Sequence, residues 1–140
     1  MSTTYNLFIS HSWSYSDAYA YEKLLALLDA RGYFSYRNYS VPMDDPIHTR
    51  GTDKELHAAI RRQIAPSSCV LMLAGVYSSH SKWINREIAI CTTEFATKKP
   101  IIAVEPWGAE RTSKIVRDSA DVVVKWNTES IVAAIRAVCK

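Results

Sequence analysis

The chain has 140 residues, of which 48% are hydrophobic and 22% are charged, and its formal net charge is +3. This length allows one domain with a buried core, and the mild, scattered charge does not indicate a nucleic-acid-binding surface. The longest uninterrupted apolar run, Cys69 to Val76, is too short to cross a bilayer, and no secretion-signal pattern follows the polar segment Met1 to Asn6. We therefore expect a single cytoplasmic domain over residues 1–140.

Cysteines and histidines show no pattern of a disulfide framework or a metal site. The three cysteines lie within apolar patterns and are odd in number, so buried free thiols are predicted at Cys69, Cys91 and Cys139. His48, His57 and His80 show no ligand spacing with one another or with cysteine, and no metal is expected.

Five short apolar runs alternate with helical patterns along the chain. The first helix is predicted between an N-cap at Ser16 and a left-handed C-cap at Gly32, and the second begins at a capping box, Thr52 to Glu55, and ends before Pro66. The third begins among the serines before Trp83, the fourth covers residues 111–117, and the last buries Ile131, Ile135 and Val138. The predicted strands cover residues 5–10, 33–37, 68–74, 101–104 and 122–125.

This alternation predicts an α/β fold with a five-stranded parallel sheet covered by helices on both faces. In open parallel sheets, ligands bind beyond the carboxyl ends of the strands, where the strand order reverses. Polar loops at residues 10–16, 38–51 and 75–82 follow the first three strands and converge on one predicted pocket.

Glu87 is the carboxylate that this topology selects. Together with Trp83 it lies on one flank of the third helix, at the predicted border between core and solvent, where a half-desolvated carboxylate suits chemistry. The same pattern is also that of a surface glutamate beside a packed tryptophan. The buried stripe of this helix is predicted from apolar residues at helical spacing: Ile84, Ile88, Cys91 and Phe95.

Three segments together resemble a TIR domain, in particular the bacterial TIR-like proteins of Thoeris antiphage defence. They are Leu7-Phe-Ile-Ser10, the long loop between the second strand and second helix, and Ser81-Lys-Trp-Ile-Asn-Arg-Glu87. The resemblance spans nearly the whole chain and implies the TIR fold, a single-domain flavodoxin-like three-layer sandwich. The loop matches the family's BB loop in position only, because Asp44-Asp-Pro46 and Thr49-Arg-Gly51 depart from the sequence of animal signalling TIRs.

The resemblance also implies a chemistry. The Trp-x-x-x-Glu arrangement of TIR enzymes that cleave NAD+ falls on Trp83 and Glu87, which makes Glu87 the implied catalytic residue. Such enzymes release nicotinamide through an oxocarbenium-like transition state, and one carboxylate is compatible with stabilising its charge, holding the ribose hydroxyls or acting as a transient nucleophile. The implied product is a cyclic ADP-ribose isomer that a separate effector senses. NAD+ is then the substrate and no cofactor is implied, while self-association through TIR–TIR contacts commonly completes the site.

Other loop residues are candidates for binding the substrate, and each has a structural alternative. Ser10, His11 and Ser12 are placed to donate to a diphosphate or ribose, although a strand-end serine equally suits a helix cap and His11 a structural role. Arg50 suits a phosphate or a solvated loop position, and Trp13 suits stacking or packing. Trp83 suits an aromatic wall, and Asp45 is a substrate-binding candidate that, with Asp44, also fits a turn before Pro46.

Other classes of protein fit the sequence less well. A phosphoacceptor receiver domain needs aspartates where this chain has Ser10-His11 and Ala74-Gly75, and a nucleoside deoxyribosyltransferase acts on substrates that lack a diphosphate. The glycines do not form the Gly-x-Gly-x-x-Gly of a Rossmann dehydrogenase. The main alternative is a non-catalytic TIR module that acts by protein–protein assembly, for which Glu87→Gln is neutral to signalling.

Overall fold

The computed structural model of the chain describes residues 4–10, 15–39, 52–73, 82–105 and 114–139, and the structural statements below concern these residues. Strands and helices alternate throughout. The strands are β1 (Thr4–Ser10), β2 (Ser35–Asn38), β3 (Cys69–Leu73), β4 (Ile101–Val104) and β5 (Val122–Val124). The helices are α1 (Tyr15–Ala30), α2 (Asp53–Ile64), α3 (Lys82–Thr93), α4 (Lys114–Ser119) and α5 (Thr128–Val138).

The five strands form one sheet in the order β2-β1-β3-β4-β5, and every neighbouring pair is parallel. This is the predicted fold class. The chain moves to one side of β1 to make β2 and to the other side to make β3, so the strand order reverses between β1 and β3. The carboxyl ends of these two strands, where Ser10 pairs with Met72, are therefore the switch point at which such sheets bind ligands.

The sheet separates two apolar clusters, because successive side chains of a strand point to opposite faces. Leu7 and Ile9 of β1 lie in the cluster that includes residues of α1 and α5, whereas Phe8 lies in the cluster that includes residues of α2, α3 and α4. All five residues of β3 are buried, as expected for a strand covered on both faces. The result is the three-layer arrangement predicted from the sequence.

Two helices begin at side-chain caps. Thr52 is the N-cap of α2 and accepts the Glu55 N–H at 3.2 Å, as the capping motif predicts. Asn127 caps α5 in the same way and accepts the Ser130 N–H at 3.1 Å. These caps determine where both helices leave the preceding loop.

The connection between α1 and β2 differs from the prediction. The left-handed residue is Tyr33, with φ of 60°, and not Gly32, so the prediction of a left-handed cap at Gly32 was wrong. The Tyr33 carbonyl accepts a hydrogen bond of 2.9 Å from Arg136 of α5, which helps to hold the turn in this conformation. β2 consequently begins at Ser35 and not at the predicted residue 33.

The remaining boundaries shift by a few residues. α1 includes Tyr15, so Ser16 lies inside the helix and is not its N-cap. β4 has the predicted bounds, while β5 ends at Val124, one residue early. α4 continues to Ser119, and residues 111–113 of its predicted range lie outside the described residues.

The three cysteines are free and buried, as predicted. None of the helices in the described part of the chain combines the length and apolar character needed to cross a membrane.

Candidate active site

Ser10 and Glu87 meet at the switch point of the sheet. Ser10 is the last residue of β1, and Glu87 lies on α3, the helix that follows β3. The Ser10 hydroxyl donates a hydrogen bond to Oε2 of Glu87, which joins residues far apart in the sequence. The fold thus brings together the predicted catalytic residue and the first of the predicted substrate-binding residues.

Glu87 is more deeply buried than the sequence predicts. Its exposed fraction is 3% and that of Ser10 is 1%, so the prediction that Glu87 lies at the border between core and solvent was wrong. The fully buried side of α3 also includes Ile90 and Cys91, whereas Ile88 and Phe95 of the predicted stripe are only partly buried. The hydroxyl at the end of β1 accounts for this difference, because a polar group is tolerated in the core when it has a hydrogen-bond partner.

Burial changes the ionisation of Glu87. Desolvation raises the pKa of this carboxyl to about 8, and the hydrogen bond from Ser10 opposes that rise. At neutral pH the carboxyl therefore retains its proton for much of the time. A positive charge brought beside it would favour the ionised form, since an opposite charge nearby lowers the pKa of a carboxyl.

Of the other predicted site residues, one lies in the described part of the chain and the rest lie outside it. Trp83 lies on α3, one helical turn before Glu87, as the sequence predicts. The remaining substrate-binding candidates lie outside the described residues and stay predictions: His11, Ser12, Trp13, Asp45 and Arg50.

The Ser10–Glu87 hydrogen bond is the feature that the sequence prediction missed. Ser10 was expected to donate to a substrate phosphate or ribose, or to cap a helix, but not to contact Glu87. Its position at the end of a strand neighbouring β3 was the available indication, because the next helix along the chain starts from that edge of the sheet.

A second polar cluster connects α2 to the end of α3. The Glu94 carboxylate pairs with the His57 ring and, at 3.3 Å, with Nε of Arg61. Arg61 and Lys99 also lie over the Phe95 ring, each 4.9 Å from its centroid. Within the described ranges, no three histidine, cysteine, aspartate or glutamate side chains are grouped so that they could hold a metal ion. The Glu94 cluster is a network of partly exposed ion pairs that joins two helices.

The sheet order and the carboxylate that α3 supplies to the switch point define an α/β domain of the flavodoxin-like class with a candidate ligand site. Residues 8–111 match the family model described as Thoeris protein ThsB, TIR-like domain. The chain therefore belongs to the family of Thoeris TIR-like domains, and this membership supports a role in antiphage defence. The matched range includes Ser10, Trp83 and Glu87. The comparison with curated proteins found no significant match.

Proposed function

We propose that the protein is an enzyme that cleaves NAD+ between nicotinamide and ribose and converts the remainder into a cyclic ADP-ribose isomer, an immune signal in antiphage defence. The observation that supports this proposal best is the buried Glu87 carboxyl, hydrogen-bonded to Ser10 at the switch point of the sheet. The family membership is compatible with chemistry on NAD+ and suggests self-association.

The chemistry requires negative charge beside the ribose carbon that loses nicotinamide. As that bond breaks, positive charge moves from the pyridinium ring to an oxocarbenium-like sugar, and an ionised carboxylate stabilises it. Nicotinamide leaves as a neutral molecule, so the reaction needs no strong general acid. The pyridinium charge of bound NAD+ would itself lower the raised pKa of Glu87, so that substrate binding promotes the ionised form.

Ser10 is a positioning residue in this scheme. Its hydroxyl holds one carboxylate oxygen of Glu87 and favours the ionised form. In the proposed reaction the other oxygen would face the sugar. Trp83 would supply an aromatic wall that excludes water. When water is excluded, a hydroxyl of the substrate's own adenosine ribose attacks the cation and loses its proton, so that NAD+ gives nicotinamide, a cyclic product and one proton. A separate effector then senses the product.

The experiment is liquid chromatography with mass spectrometry on NAD+ incubated with concentrated protein. The wild type is compared with Glu87→Gln, which retains the size of the side chain, and with Ser10→Ala. Glu94→Gln is the matched control, because Glu94 is a carboxylate just after the same helix and contacts His57 and Arg61, away from Ser10. Lysate from phage-activated cells provides a second source of product, and circular dichroism checks that each variant folds.

We expect wild type and Glu94→Gln to release nicotinamide with a cyclic ADP-ribose mass. Glu87→Gln should lose at least about 100-fold in turnover, as is usual when a group that stabilises transition-state charge is removed. Ser10→Ala should be slower than wild type and faster than Glu87→Gln. Intact NAD+ in every sample, including the activated cells, would contradict the proposal and favour the non-catalytic assembly module.

A further inference from the structure

Two of the three thiols lie together at the end of the sheet opposite Glu87. Cys69 is the first residue of β3, and Cys139 directly follows α5. The sulfur of Cys139 lies 3.8 Å from the carbonyl oxygen of Asn6, and the same carbonyl accepts the N–H of Ser68 at 2.7 Å. Both cysteines belong to the same apolar cluster, and they are close enough to influence each other's ionisation. Two residues distant in sequence are thus held side by side.

A cleft opens beside this pair. Its volume is about 320 Å³, and its lining includes Ser68, Val138, Lys98 and Lys99. Ser68 precedes Cys69 and Val138 precedes Cys139, so the cleft reaches the chain immediately next to both thiols. Its cations are held in place, since Lys98 pairs with Asp121 at 2.9 Å and Lys99 binds the Ser67 carbonyl at 2.6 Å. A small polar molecule in the cleft would therefore lie one residue along the chain from each thiol of the buried pair.

The two thiols differ in acidity. The hydrogen bond with Cys69 lowers the pKa of Cys139, against the effect of burial, and Ser68 and Lys99 lower it further. The same contact and burial raise the pKa of Cys69, which keeps its proton. Positively charged surroundings of this kind favour the reactive thiolate form, and the folded structure leaves 2% of Cys139 exposed. Cys91 is in the cluster on the other face of the sheet, where burial raises its pKa to about 12.

We propose that Cys139 and Cys69 form an oxidative modification site for a hydroperoxide, in which Cys139 is the attacking thiol and Cys69 the resolving thiol. The Cys139 thiolate attacks one oxygen of hydrogen peroxide, the O–O bond breaks, and sulfenic acid and hydroxide form. The Cys69 sulfur then attacks the sulfenic sulfur, and the S–OH bond breaks. Hydroxide leaves with the proton of Cys69 as water. Two thiols and one peroxide give one disulfide and two waters, so both sulfurs are oxidised and the peroxide is reduced.

The disulfide would join the end of α5 to the start of β3. It would close a long loop of the chain, and such cross-links raise the stability of the folded state relative to the unfolded state. The inference concerns the amino ends of the strands, whereas Ser10 and Glu87 lie at the carboxyl ends. It therefore stands or fails independently of the proposed cleavage of NAD+.

The test begins with wild-type protein, reduced and then treated with one to a few equivalents of hydrogen peroxide. Free thiols are alkylated after denaturation, and the mass and the cross-linked peptides are determined. We expect one alkyl adduct in place of the three of the reduced protein, a peptide that joins Cys69 to Cys139, reversal by dithiothreitol and a higher melting temperature for the oxidised form. Cys91→Ser is the matched control and should form the same disulfide.

Two variants separate the two steps. Cys69→Ser removes the resolving thiol, so dimedone should label a sulfenic acid at Cys139 about tenfold or more over Cys91, given the higher thiolate fraction of Cys139. Cys139→Ser should leave Cys69 unmodified. The proposal is overturned if folded wild type forms no Cys69–Cys139 disulfide, or if Cys91 is oxidised as fast as Cys139. The wild-type peptide map decides this even if a serine variant fails to fold.

Discussion

At the scale of single residues, the buried Glu87 carboxyl destabilises the folded protein. Its carboxyl lies in the core with a neutral hydroxyl as the hydrogen-bond partner, and the ionised form that the proposed chemistry needs is the form that burial penalises most. Functional sites often retain such groups at the expense of stability. This conflict between stability and function can be measured without any substrate.

We predict that stability depends on pH through Glu87. Its pKa is about 8 in the folded state against an ordinary value of 4.5, so between these values the folded protein keeps a proton that the unfolded chain has lost. The stabilisation is complete below pH 4.5 and is lost as the pH rises through 8. Glu87→Gln has no such group, and at pH 9 it should be more stable than wild type by on the order of a few kcal/mol.

Urea unfolding at pH 5, 7 and 9 provides the measurement. Glu94→Gln is the control, since it removes a carboxylate but retains Glu87, and it should keep the loss of stability that wild type shows between pH 7 and 9. If the free energy of unfolding depended on pH in the same way for wild type and Glu87→Gln, the buried carboxyl would not titrate as inferred.

The sequence identified Ser10 and Glu87 but not their contact. The spacing of apolar residues predicts which side of a helix is buried. A glutamate is not apolar, so this method assigns it to the exposed side. Glu87 can be buried because Ser10 at the end of β1 supplies a hydroxyl as its hydrogen-bond partner. In the sequence, β1 is separated from α3 by two other helices. The strand order brings Ser10 next to α3, and the periodicity of the α3 sequence carries no information about strand order.

At the scale of secondary-structure elements, the turn from α1 to β2 carries backbone strain. Tyr33 has φ of 60°, a conformation that costs a residue with a Cβ about 1–2 kcal/mol. Its side chain is 95% exposed and contributes little to the core. The turn is held from outside by the bond from Arg136 to the Tyr33 carbonyl.

We predict that Tyr33→Gly stabilises the protein. Glycine removes the strain but increases the freedom of the unfolded chain, so the free energy of unfolding should rise by about 0.5–1 kcal/mol. Tyr33→Ala is the matched control, because it removes the same ring while keeping the Cβ, and it should be close to wild type. Urea unfolding distinguishes the two variants, and equal effects of glycine and alanine would mean that the backbone is not strained.

Element types were predictable, but their ends were less so. Strands β1 and β3 to β5 were expected within one residue of their bounds, because continuous apolar runs mark buried parallel strands. β2 is an edge strand with mostly exposed side chains, so its sequence marks the start of pairing weakly. The Gly32 prediction failed because glycine permits a left-handed conformation without requiring it, and the left-handed residue is Tyr33.

At the scale of the whole molecule, the sheet divides the core into two layers. Ile60 of α2 lies in one cluster and Ile135 of α5 in the other, and the backbone of the sheet separates them. Side chains that share no partner usually contribute independently to stability. The family fold could be predicted from the βα alternation and the TIR motifs, since the layers follow from strands that are buried on both faces.

We predict that Ile60→Val and Ile135→Val have additive effects. Each should lower the free energy of unfolding by about 0.5–1.5 kcal/mol, and the double variant should equal the sum within about 0.5 kcal/mol. Ile131→Val combined with Ile135→Val is the comparison, because both lie in one cluster on adjacent turns of α5 and are expected to be coupled. A large coupling between Ile60 and Ile135 in urea unfolding would contradict the two-layer description.

The position of β1 in the middle of the sheet also matters during synthesis of the protein. β1 leaves the ribosome before both of its neighbours in the sheet. It can pair with β2 soon afterwards, but its other edge waits for β3, which ends at Leu73. Until then Leu7, Phe8 and Ile9 lack much of the cover they have in the finished molecule. The nascent chain therefore carries an unpaired apolar strand edge until β3 has emerged, the kind of surface that chaperones bind and that favours aggregation.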